Sequence, residues 1–118
     1  MYAIRALDES TWDAFAALVE ANNGVFGGCW CIGFHAEGGD KELTPEQRRA
    51  WKLERVRART THAALVFDND ACLGWCQFGA PAELPRIKSR AVYEKGLTEP
   101  PDWRIACNFV GKGHRRKG

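Results

Sequence analysis

Hydrophobic positions recur along the chain at two periods, and the changes of period mark the elements. Residues 2–7 alternate weakly, which predicts a short first strand. Trp12, Phe15, Ala16, Leu18 and Val19 then fall on one helical stripe. That helix is entered through Ser10-Thr11-Trp12-Asp13, with Ser10 placed to cap it, and is left at Asn23-Gly24, which tolerate a left-handed cap. Residues 25–42 are aromatic and glycine-rich and follow neither period. Thr44-Pro45-Glu46-Gln47 restarts order as a capping box with proline at the first helical position. The helix it opens is predicted to reach about Arg59, with Trp51, Leu53 and Val56 facing inward. Residues 62–67 and 72–78 are β-prone runs around Asp68-Asn69-Asp70-Ala71, a hairpin pattern. Pro81 and Pro85 punctuate the next loop, and residues 86–95 suit a short helix closed by Gly96. Pro100-Pro101 then forces an extended approach to a fourth strand over residues 103–110. This order predicts an α+β (or α/β) fold: a mixed, mostly antiparallel sheet of about four strands with helices packed on it.

Composition narrows the class. A chain of 118 residues holds one core at most, and 45% hydrophobic with 27% charged residues excludes wholesale disorder. Trp51, Trp75 and Trp103 are expected in that core. No apolar run is long enough to span a bilayer, and the opening Met1-Tyr2-Ala3-Ile4-Arg5 lacks the basic leader and apolar stretch of a secretory signal. These readings point to the cytoplasm and to five reduced cysteines, an odd number that also argues against a disulfide framework. The net charge is +2, but Lys112, Arg115, Arg116 and Lys117 all lie in the last seven residues. Without these four the chain is slightly acidic, so the terminal segment is a local anion-seeking feature.

A strand that runs into Gly111-Lys112-Gly113-His114-Arg115-Arg116-Lys117-Gly118 has a physical use. Glycines let successive backbone N–H groups face one anion, and the cations neutralise its remaining charge. Val110 to Gly118 resembles the acetyl-CoA loop of the GNAT N-acetyltransferases, where a strand-end valine is followed by Arg/Gln-x-x-Gly-x-Gly/Ala. Arg115 matches the first basic position and Gly118 the first glycine. The order of elements resembles the amino-terminal half of that fold. Cys29-Trp30-Cys31 to Phe34-His35, Gly74-Trp75-Cys76-Gln77-Phe78-Gly79 and Pro81-Ala82-Glu83-Leu84-Pro85 resemble one bacterial subgroup of it.

The resemblance implies an N-acetyltransferase that uses acetyl-CoA as co-substrate and a small-molecule or peptide amine as acceptor, by direct attack without an acyl-enzyme. Phe109 and Val110 would lie along the pantetheine arm, and Arg115, Arg116, Lys117 and Gly118 would face the pyrophosphate. It also implies that residues 1–118 form an incomplete domain that stops within its cofactor loop. Such a chain is expected to be inactive or weakly active and to leave residues 103–110 as an apolar sheet edge open to self-association. Glu83 and His62 are the ionisable candidates for a general base. Trp30 and Phe34, in the irregular segment, are the candidates for lining the acceptor pocket.

Other functions fit the same residues less well. Cys29-x-Cys31-x-x-x-His35 has zinc-ligand types, with Cys72 and Cys76 as the nearest second pair, but no spacing joins the two. Cysteines as small buried hydrophobes are the simpler reading, and Cys107 in a strand reads the same way. His35 and His62 read as surface or satisfied histidines. A nucleic-acid arm at residues 112–118 has too few charges and no aromatic after Phe109 to stack on bases. The cations Arg48, Arg49, Lys52, Arg55, Arg57 and Arg59 occupy several helical faces and read as solvated surface. The alternative from another class is a small non-catalytic binding protein that pairs through its last strand.

Overall fold

The computed structural model describes residues 2–22, 30, 32, 35–36, 42–86, 103–111, 113 and 115. They form β1 (Tyr2–Ala6), α1 (Trp12–Ala21), α2 (Pro45–Ala58), β2 (His62–Asp68), β3 (Ala71–Gly79) and β4 (Arg104–Val110). The fold is α+β. The strands lie in the order β1-β2-β3-β4, and every pairing is antiparallel. The short helix expected over residues 86–95 lies outside the described residues from position 87 onward.

The second helix forms where its cap dictates. The Thr44 hydroxyl accepts the Gln47 N–H at 3.1 Å, the Gln47 side-chain oxygen accepts the Thr44 N–H at 2.8 Å, and Pro45 opens the helix. Arg59 ends it in the left-handed conformation at φ 59°. The first helix departs from expectation. Ser10 does not cap it: its hydroxyl and N–H both turn back to the Asp8 carboxylate. Thr11 occupies the cap position without a side-chain cap bond. Its hydroxyl instead donates to the Ala6 carbonyl at 2.8 Å and accepts the Asp8 N–H at 2.9 Å, tying the helix entry to β1. The helix stops at Ala21, and the Asn22 side chain donates to the Leu18 carbonyl at 2.8 Å. Asn23 and Gly24 lie outside the described residues.

Between β2 and β3 the turn is two residues, Asn69-Asp70, with Asn69 at φ 55°. Asparagine tolerates that region better than most residues, which is why the hairpin is legible.

Helices α1 and α2 cover one face of the sheet. Leu65, Phe67 and Trp75 meet Trp12, Phe15, Val19, Trp30 and Val56 there. Phe15 and Trp75 have ring centroids 5.0 Å apart, and Trp75 and Phe109 4.9 Å. Trp75 is thus a core residue, as expected, but Trp51 and Trp103 are 44% and 60% exposed. On α2 the buried pair is Lys52 and Val56, one turn apart. Trp51, rotated about 100° from Lys52, is carried off the core. Trp103 precedes the edge strand β4, where no further described strand covers it.

Candidate functional site at the His62 end of the sheet

After β3 the chain makes a tight turn in which the Glu83 and Leu84 N–H groups both donate to the Ala80 carbonyl, at 3.0 and 3.1 Å. Leu84 is fully buried and anchors the turn, and the Arg104 guanidinium donates to its carbonyl from the start of β4. The turn delivers the Glu83 carboxylate to the first residue of β2, where one oxygen lies 2.9 Å from His62 Nδ1. Glycine at position 79 makes room for this. A Cβ there would stand 2.4 Å from a Glu83 carboxylate oxygen and 3.1 Å from Leu84 Cδ1.

A carboxylate only accepts, so the pairing places a proton on His62 Nδ1, and in the neutral ring Nε2 then keeps its lone pair. Among the described residues Nε2 has no hydrogen-bond partner. The ring is flanked by Phe78, centroids 5.9 Å apart, and edge-on by Trp103 at 6.2 Å. The two residues named from sequence as candidate bases are therefore in contact, as a carboxylate–imidazole pair.

Behind the pair lies a buried polar chain that sequence reasoning missed. Lys52, 1% exposed, donates from Nζ to Thr61 Oγ1 at 2.9 Å. Thr61 Oγ1 lies 3.0 Å from His35 Nε2, and Gln77 Nε2 lies 3.2 Å from the same nitrogen. His35 Nδ1 is 2.9 Å from the Glu83 carbonyl oxygen. A carbonyl cannot donate, so His35 Nδ1 carries the proton and donates to it. His35 Nε2 then accepts from the Thr61 hydroxyl and the Gln77 amide, while Thr61 accepts from the lysine. Each contact in the chain thus pairs a donor with an acceptor. One buried histidine thereby holds both members of the outer pair, Glu83 through its carbonyl and His62 through the adjacent Thr61.

Two signals for this chain were present in the sequence. Lys52 shares the inward face of α2 with Val56, and Gln77 alternates in phase with Trp75 on β3. The arginines around Lys52 hid the first signal. Lys52 is not the solvated surface charge that the sequence suggested.

Beside His62 a cavity of about 350 Å³ opens between the start of α1 and the end of α2. It is lined by Leu7, Asp8, Glu9, Ser10, Val56, Arg59, Thr61 and His62.

At the other end of β4, Gly111 N–H donates to the Leu73 carbonyl at 2.7 Å and extends the ladder past Val110. Gly113 adopts φ 93°, a left-handed value that suits glycine. Arg115 comes back onto the strand end, with Nε donating to the Val110 carbonyl at 2.9 Å and its guanidinium 5.6 Å from the Phe109 ring centre. Its side chain is otherwise exposed, so the remaining N–H groups face solvent and suit an anion. Arg116, Lys117 and Gly118 lie outside the described residues. His62 pairs with Phe78, and Phe78 with Ile105. The imidazole is therefore roughly 17 Å along β4 from Val110, five residues at about 3.4 Å each.

Trp30 is the residue that the sequence suggested for lining an acceptor pocket. It is buried and stacked on Trp12, centroids 5.9 Å apart, as part of the core. Phe34, Cys29 and Cys31 lie outside the described residues. Both ring nitrogens of His35 are engaged as above, which removes it from the zinc pattern, and no group of three or more potential metal ligands occurs among the described residues. Cys72 is buried against the Gly74 carbonyl, and that burial pushes its thiol above the usual range. No described helix is long and apolar enough to cross a membrane. No family model, curated protein or solved structure matches the chain.

Proposed function

We propose that the chain is an acyltransferase-type domain of the GNAT kind, moving an acetyl group from acetyl-CoA to an amine by direct attack. The observation that carries this reading is the placement of two complementary features at opposite ends of the sheet, one at each end of β4's span. Arg115 and the glycine turn stand at one end of β4, and the His62–Glu83 pair stands at the other. An extended pantetheine arm laid along β4 from the Arg115 end would bring a thioester toward His62. Acetyl-CoA supplies the activated acetyl group. His62 Nε2 takes a proton from the acceptor ammonium, and the Glu83 carboxylate stabilises the imidazolium that results. The neutral amine nitrogen bonds to the acetyl carbon, the C–S bond breaks, and the CoA thiolate takes up a proton as the new amide loses one.

The test follows backbone amide resonances while acetyl-CoA is added. Shifts confined to Phe109, Val110 and Arg115, saturating weakly in the millimolar range, support the reading. Acetyl-CoA that moves no resonance on β4, or only resonances elsewhere, overturns it.

One observation favours a second reading. Edge strand β4 and the residue before it expose Trp103, Ile105 and Val110, a surface suited to pairing with another chain. A non-catalytic protein of this kind would form a stable dimer indifferent to acetyl-CoA, which sedimentation with and without the nucleotide would reveal.

A further inference from the structure

We infer that the cavity between the start of α1 and the end of α2 is the acceptor site, and that it takes a small aliphatic amino acid as the zwitterion. The inference rests on the acetyl-transfer reading for what happens to the amine, but the choice of ligand rests on the cavity alone. Its volume of about 350 Å³ suits one amino acid rather than a peptide segment. Leu7 and Val56 form an apolar wall that would hold a branched aliphatic side chain.

The charged groups are divided across the opening. On the α1 side stand Asp8 and Glu9. The hydrogen bond from the Ser10 hydroxyl, with the N–H groups of Ser10 and Thr11, holds the Asp8 carboxyl below its usual range and keeps it anionic. Glu9 has no ion pair among the described residues. On the α2 side Arg59 occupies a left-handed position that glycine would fill more easily. Its guanidinium likewise has no ion pair among the described residues. His62, the residue proposed as base, is also part of the lining. An ammonium placed toward Asp8 and Glu9, with its carboxylate on Arg59, satisfies both walls. A polyamine would satisfy only the first and would be repelled by Arg59.

Three isosteric probes separate these terms: leucine carries both charges, leucinamide only the ammonium, and isocaproate only the carboxylate. Titrated while the His62 ring and Arg59 side-chain resonances are followed, leucine is expected to shift both sets. The single-charge probes should bind at least about tenfold more weakly, each having lost one charge-assisted contact. Arg59→Gln should abolish the preference for leucine over leucinamide with an unchanged circular dichroism spectrum. Leucinamide binding as tightly as leucine overturns the proposal, and so does silence of the His62 and Arg59 resonances with all three probes. The acetyl-CoA titration of β4 keeps the two readings apart. Leucine binding with a silent β4 upholds the zwitterion site and removes the transferase, whereas a responsive β4 without leucine binding removes only the zwitterion site.

Discussion

A lysine ammonium with 1% of its surface exposed survives folding only if its charge is met by well-placed acceptors, and Thr61 Oγ1 at 2.9 Å is one of them. Thr61→Val keeps the shape and deletes that acceptor, removing one charge-assisted hydrogen bond of the buried ammonium and also the hydrogen bond to His35. We predict a loss of about 3 kcal/mol in urea unfolding. Lys52→Met, which removes the charge along with its need, should stay within about 1 kcal/mol of the parent. A Thr61→Val protein as stable as the parent would mean that the ammonium is solvated. Asp8 gives a prediction in pH. Its folded-state pKa is depressed, first by the Ser10 hydroxyl, so it stabilises the fold above the unfolded value of about 3.9. That contribution is lost as pH falls through the folded value. Asp8→Asn should therefore flatten the acid limb of the stability profile, as read from urea midpoints across that range. Little of this scale is legible in the sequence. Lys52 sits among four arginines on α2, and only the rotation fixed by packing decides that it, and not Trp51, turns inward.

Elements were far more legible, because their signals are local. The Thr44–Gln47 box, Pro45 at the helix start and Asn69 in the hairpin each act within a few residues, and each is found where the pattern placed it. Ser10 misled because a short hydroxyl side chain beside an aspartate has two nearby uses, and the turn to Asp8 won. Of the site, the types His62 and Glu83 were legible but not their contact, which depends on a tertiary detail: the absent side chain at position 79. Gly79→Ala places a Cβ against the Glu83 carboxylate, 2.4 Å from one oxygen in the present geometry. The carboxylate must then swing away from His62. We expect the ring nitrogen resonances of this variant to report a mixture of imidazole tautomers where the parent has one. A single unchanged tautomer would show that the pairing tolerates the methyl group.

At the scale of the whole molecule, the sheet has one face under α1 and α2, and β1 and β4 form its edges in the described structure. Ile105 is 70% exposed on β4, beside the exposed Trp103. Ile105→Lys puts a charge on that edge, which discourages strand-to-strand pairing. The weight-average mass measured by sedimentation at high concentration should fall toward the monomer, and an unchanged mass would exclude this edge as the contact. The two-residue turn at Asn69-Asp70 also sets an order of assembly. A hairpin so closely linked can zip in about 1–10 μs, whereas β1 must find β2 across the whole of both helices, at a much larger loop-closure cost. The rate-limiting nucleus should hold β2 and β3 together while β1 is still loose. Disruptive changes in the hairpin would then slow refolding, and those in β1 would mainly hasten unfolding. Stopped-flow arms of the two classes of variant that moved together would refute that sequence of events.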